Sequence, residues 1–112
     1  MKIMKIKTSY YPKAILSRKF RGRSVIKFIE KKDIIVYSNY GYAVGGFVDN
    51  TFYIRDTYIY PEHRRKGIAS VLITKLMEES KADKFLLTPT ISGEKFFKSL
   101  DFRKSKSGTM YR

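Results

Sequence analysis

The chain has 112 residues, with 24 Lys and Arg against 10 Asp and Glu, no cysteine and one histidine, His63. This length suits one domain over residues 1–112 with a real core, and the composition excludes disulfides and cysteine nucleophiles and leaves no metal site expected. With no apolar run of membrane-spanning length and no signal-peptide stretch after Met1-Lys2-Ile3-Met4-Lys5, a cytoplasmic protein without a membrane partner is expected.

The formal net charge of +14 is uneven, because residues 1–32 hold 11 Lys or Arg and a single acid, Glu30. Such an excess fits an acidic partner, nucleic acid or an acidic protein patch, and equally a solubilising surface. Within this third, Lys2 to Lys7 sets Ile3 and Ile6 among lysines and reads as a first strand. Ser9 or Tyr10 through Phe20 carries Pro12 near a first turn and Ile15, Leu16 and Phe20 at helical spacing, which predicts a helix ending near Gly22. Ser24 to Lys32 reads as a second short helix, with a strand as the alternative because Val25, Ile26 and Phe28 are good strand formers.

From Asp33 the pattern becomes an antiparallel meander of Ile34 to Ser38, Tyr42 to Val48 and Thr51 to Tyr60, with turns at Asn39-Tyr40-Gly41 and Asp49-Asn50. Gly45-Gly46 inside the middle strand suggests a bulge, or a close approach by another backbone or a ligand.

The stretch Tyr58 to Ala69 then closes the last of these strands and opens a helix. Pro61 cannot donate to a ladder and ends the strand, while Ile68, Ala69, Val71, Leu72, Ile73, Leu76 and Met77 give the apolar face of a helix predicted from Arg64 or Arg65 to Lys81. Positions 63–66 hold no Ser, Thr, Asp or Asn as a cap, and Arg64, Arg65 and Lys66 stand where the macrodipole is already positive. A bound anion reverses the sign of that arrangement: uncapped N–H groups become donors, Gly67 admits a ligand to the backbone, and the cations pair with it. The physical reading is a phosphate or pyrophosphate site.

Lys84 to Thr88, stopped by Pro89, is the next strand, and a strand-helix-strand order makes it parallel to residues 51–60. Ser92 is a candidate cap for a helix Gly93 to Leu100, with Phe96, Phe97 and Leu100 on its apolar side, and Phe102 to Tyr111 makes a last strand or hairpin. The expected class is α/β (α+β): a mixed, mostly antiparallel sheet with a central parallel β-α-β crossover and helices on both faces.

Arg64-x-x-Gly67-x-Ala69, following Tyr60-Pro61, closely resembles the acyl-CoA signature of the GNAT N-acetyltransferase superfamily, and Phe96-Phe97-Lys98-Ser99-Leu100-Asp101-Phe102 resembles a second segment common there. The motif resemblance covers about residues 51–103, and the order of elements matches the family layout throughout. It implies an acyl-CoA-dependent N-acetyltransferase moving an acetyl group from acetyl-CoA to an amine on an acidic acceptor: a protein lysine, a nucleic-acid-linked amine or a small molecule. The backbone N–H groups of Arg65, Lys66, Gly67, Ile68 and Ala69 would hold the pyrophosphate, with charge added by Arg64, Arg65 and Lys66. Pantetheine would lie along the strand ending at Tyr60, flanked by Phe96 and Phe97, and the Ile59 N–H would hold the oxyanion.

Two departures from the family pattern bear on catalysis. Phe97 stands where a Tyr often protonates the leaving thiolate, and no Glu occupies the central strand, whose same-face positions read as Tyr53, Arg55 and Thr57. Asp56, acting through water, and Tyr53, Tyr58 or Tyr111 are the candidates for the proton transfers; His63 reads as packing or solvent-facing. The alternative is a catalytically weak GNAT-shaped CoA-binding module that binds nucleic acid or a partner protein through its basic first third. Either a monomer or a homodimer is compatible with this reading.

Overall fold

The Ile, Val and Tyr residues after Asp33 form the centre of a seven-stranded sheet in a computed structural model, which describes residues 4–7, 19–20, 23–24, 32–90 and 93–112. Strand β1 (Met4–Lys7), within the first strand expected over Lys2 to Lys7, lies at one edge. β2 (Lys19–Phe20) and β3 (Arg23–Ser24) form a separate antiparallel pair, in register Lys19↔Ser24 and Phe20↔Arg23. This corrects two expectations, that the first helix runs through Phe20 and that the second begins at Ser24. Phe20 reads equally well as a strand residue, and its partner across the pair is Arg23. Lys32, the expected last residue of the second helix, lies in a turn, and the rest of both predicted helices lies outside the described residues.

β4 (Ile34–Ser38), β5 (Gly41–Val48) and β6 (Thr51–Ile59) are the expected meander, paired antiparallel in succession. Helix α1 (Ile68–Ser80) crosses over to β7 (Phe85–Leu87), which is parallel to β6 as expected. Helix α2 (Glu94–Ser99) leads to the hairpin of β8 (Arg103–Lys104) and β9 (Met110–Tyr111), giving the order β1-β4-β5-β6-β7-β9-β8. Ser92, the expected cap of α2, is outside the described residues; Gly93 occupies the N-cap, with its N–H donating to Thr90. No helix among the described residues is long and apolar enough to cross a membrane.

Alternation along the strands divides the sheet into two faces. On one, Val36, Ala43, Phe52, Ile54, Ile59, Leu87 and Met110 pack with Leu72, Ile73, Leu76 and Met77 of α1 and with Phe102, and Phe96, Phe97 and Leu100 close over this core. On the other, Ile35, Tyr42 and Val44 are buried beneath Tyr37, Tyr58 and Tyr60. β5 is buried on both faces through residues 41–46, as expected for a central strand.

The suggested irregularity at Gly45-Gly46 is present. Val44 pairs with Asp56 and Gly45 with Ile54, so Arg55 is an extra residue in β6, a β-bulge. The adjacent Gly46 is occupied from above by an acid, not by a ligand: a Cβ there would collide with the carboxylate of Asp33. Asp33 is 2% exposed and its Oδ2 lies 3.2 Å from Arg55 Nε, so the bulged residue neutralises the buried charge that Gly46 makes room for.

Candidate active site

The site is built where β6 and β7 part. They pair only at Phe52↔Phe85 and Tyr53↔Leu86, with Phe52 N–H donating to Lys84 O at 2.9 Å, yet β6 continues to Ile59. Past Tyr53, β6 therefore has one edge on β5 and, among the described residues, no strand on the other. Tyr60 N–H donates to Tyr40 O at 2.9 Å on the β5 side. Because successive N–H groups alternate across a strand, those of Thr57 and Ile59 point to the open edge. Ile59, named from sequence as the oxyanion donor, thus presents its N–H to the opening.

A tight turn joins this edge to α1. Pro61–His63 make a single 3-10 turn, Arg65 and Gly67 have φ of 63° and 77°, and regular helix begins only at Ile68. The expected start at Arg64 or Arg65 is thus corrected by three to four residues: two left-handed residues in three cannot be part of a right-handed helix. Arg64, Arg65 and Lys66 consequently lie in the loop before the helix, all exposed. Gly67 is the N-cap, has no capping side chain, and a Cβ on it would meet nothing within 4 Å. Its backbone angle favours glycine there, and the space over it is open among the described residues. The first N–H groups of α1, at Ile68, Ala69 and Ser70, have no intrahelical acceptor and no acidic residue in the first turn. Uncapped donors, a glycine facing open space and three cations are the elements with which a helix start can hold an anion.

The cations are not equivalent. Arg64 turns back along the strand: its Nε donates to Ile59 O at 3.0 Å and its guanidinium carbon lies 5.5 Å from the Tyr58 ring centroid. Its place is the seam between the open edge and the turn, whereas Arg65 and Lys66 extend from the turn itself. His63 packs against Tyr40 with ring centroids 4.4 Å apart and planes tilted by 51°, where packing or a solvent-facing position is the expectation.

The bulge changes which residues share a face. Beyond Arg55 the phase of β6 is reversed, so Thr57 and Ile59 face the α1 core, while Asp56, Tyr58 and Tyr60 join Tyr53 on the opposite face. The expectation that Thr57 shares a face with Tyr53 and Arg55 is overturned, and Asp56 takes that place. Tyr42, fully buried, donates its hydroxyl to Asp56 Oδ2. Tyr53, Leu86 and Tyr111 form one cross-strand row. All three predicted catalytic residues, Asp56, Tyr53 and Tyr111, therefore lie on this face without clustering: two strand spacings separate the tyrosines by about 10 Å, and three residues separate Tyr53 from Asp56 by about 10 Å. Phe96 and Phe97 lie on the other side, half-buried, with rings 5.0 Å apart and Phe97 5.6 Å from Phe102.

A family profile described as acetyltransferase (GNAT) domain matches residues 21–104. The chain belongs to the GNAT family. Solved structures carry the same fold: a GNAT-family acetyltransferase from Staphylococcus aureus Mu50 is 16% identical at a TM-score of 0.70, over 99% of this chain and 98% of that one. A predicted acetyltransferase with acetyl-CoA from Clostridium acetobutylicum is 23% identical at 0.58, over 66% and 58%. The PaiA N-acetyltransferase from Thermoplasma acidophilum in complex with coenzyme A is 16% identical at 0.53, over 70% and 57%. Among curated proteins no match is found. At these identities the likeness speaks to the fold.

Proposed function

We propose that the protein is an N-acetyltransferase that uses acetyl-CoA and acts on an amine. The observation that carries this reading is the left-handed, uncapped Gly67 turn beside an open strand edge that presents the Ile59 N–H. The turn's N–H groups, from Arg65 to Ala69, suit a pyrophosphate, with Arg65 and Lys66 supplying charge. The open edge offers pantetheine a strand to pair with, and the Ile59 N–H is the donor for the developing oxyanion. Phe96 and Phe97 supply an apolar wall on the α1 side. The amine enters from the tyrosine face, where Asp56 is the one carboxylate on β6. Thermal denaturation with and without acetyl-CoA tests the reading: the ligand should raise the melting temperature of the wild-type protein and leave Gly67→Glu unmoved.

A second reading, a CoA-binding module with little chemistry that engages nucleic acid or a protein through its basic first third, is favoured by two observations. Phe97 has no proton to give, and Asp56 is engaged by Tyr42. Salt-sensitive nucleic-acid binding without thiol release from acetyl-CoA would support it over the first.

A further inference from the structure

One polar group in the site lacks a partner. Among the described residues, Thr57 Oγ1 is inaccessible to solvent and makes no hydrogen bond. Buried hydroxyls without partners are rare and unfavourable, and nothing in the packing of this one explains it. Thr57 faces the α1 core, opposite Ala43 on β5, in the segment of β6 that has lost β7. The residue as a whole is only half-buried, so its accessible part is its methyl group or backbone rather than its oxygen. Rotation about χ1 exchanges hydroxyl and methyl between staggered positions and leaves the strand in place. Helix α2, which packs into the same core, brings no hydroxyl on its aromatic pair, since both residues are phenylalanine.

We infer that Thr57 is the hydrogen-bond donor to the sulfur of the acyl donor, turning its hydroxyl to the open edge when the donor is bound. The inference rests on the acetyl-CoA reading above. The amine nitrogen forms a bond to the thioester carbon and the carbonyl pair moves to the oxygen held by Ile59. The carbonyl then re-forms, the carbon–sulfur bond breaks and its pair stays on sulfur as a thiolate. The amine's surplus proton leaves to solvent, and the thiolate, held by the Thr57 O–H, takes a proton from solvent in turn. Thr57 does not give up its own proton; it lowers the energy of the charged sulfur.

The test compares wild type, Thr57→Val and Thr57→Ser using free coenzyme A as the probe. Ultraviolet absorbance of the thiolate is titrated on the bound ligand, and melting temperatures are recorded with and without it. Wild type and Thr57→Ser should bind coenzyme A with the thiol pKa below that in Thr57→Val by about one unit, a tenfold difference in ionisation. The unliganded Thr57→Val protein should melt no lower than wild type, because valine replaces an unpaired hydroxyl by a methyl group of the same shape. Equal thiol pKa values in wild type and Thr57→Val overturn the inference. So does a lower melting temperature of unliganded Thr57→Val, which would show that the hydroxyl serves the fold. A wild-type protein that does not bind coenzyme A at all refutes the acetyl-CoA reading, and this inference with it.

Discussion

Substituting Gly67 isolates the turn's backbone from its ligand. In the unliganded protein an added Cβ meets no atom within 4 Å, so Gly67→Ala introduces no clash, and its whole cost is that of placing a side chain at φ 77°. That cost is roughly 1 kcal/mol, which for a domain of this size lowers the melting temperature by about 4 °C. Gly67→Asn, whose side chain tolerates the left-handed region, should lose less. Acetyl-CoA at a hundredfold excess over its dissociation constant stabilises the native state by about 2.7 kcal/mol, or roughly 10 °C on the same scale. The Cβ occupies the open space where phosphate oxygens must approach. Alanine and asparagine should therefore both shrink the ligand shift although they differ in unliganded stability, and Gly67→Glu should abolish it by setting a carboxylate against the phosphates. Differential scanning fluorimetry across the four proteins separates the two effects. An unliganded Gly67→Ala protein as stable as wild type would show that residue 67 is not left-handed in solution, and a full ligand shift in Gly67→Glu would show that the phosphates bind elsewhere.

Three further outcomes follow from contacts described above. Asp33→Asn leaves Arg55 without its buried counter-ion and should cost about 2–3 kcal/mol in urea unfolding, below the full cost of breaking a wholly buried pair because the Arg55 side chain is 26% exposed. Arg64→Ala removes the bond to Ile59 O and the contact with Tyr58, and should lower the urea midpoint by an amount equivalent to about 1 kcal/mol at unchanged m-value. Glu94 has its carboxyl held below the usual range, chiefly by the hydrogen bond from Lys104 and further by the charges of Lys104 and Lys98. A depressed native pKa gives stability that is present above the ordinary glutamate value and lost as pH falls through the lower native one. Melting curves from neutral to acid pH should therefore fall less steeply for Glu94→Gln than for wild type.

The parts of this architecture that depend on local chemistry were legible in the residues. Pro61 marks the end of the central strand, Gly67 marks the turn, and the aliphatic spacing from Ile68 to Met77 marks the helix that α1 proves to be. The start of α1 was less legible, because basic residues are good helix formers and nothing in the sequence says that Arg65 adopts a positive φ. Lys19 to Ser24 misled because a phenylalanine at helical spacing is also a strand residue, and the choice depends on its partner across the pair. The face of Asp56 was hidden for a related reason. Gly45-Gly46 announces an irregularity, but only the pairing shows that the extra residue is Arg55, on the opposite strand, and counting by twos from Tyr53 then assigns each later residue to the wrong side. Thr57 could not have been singled out at all, since a missing hydrogen-bond partner is a property of the packing and not of the residue.

That extra residue also sets how the central strand can vary. Its two halves are out of phase, with Phe52 and Ile54 turned to α1 before the bulge and Thr57 and Ile59 after it. Deleting Arg55 would restore strict alternation and leave both faces as they are, with Ile54, Thr57 and Ile59 toward α1 and Asp56, Tyr58 and Tyr60 opposite, while removing the partner of Asp33. Losing a residue elsewhere in β6 with the bulge kept would instead exchange the two surfaces that follow it. Arg55 is thus a residue that the two faces of β6 do not need and that the buried carboxylate of Asp33 does.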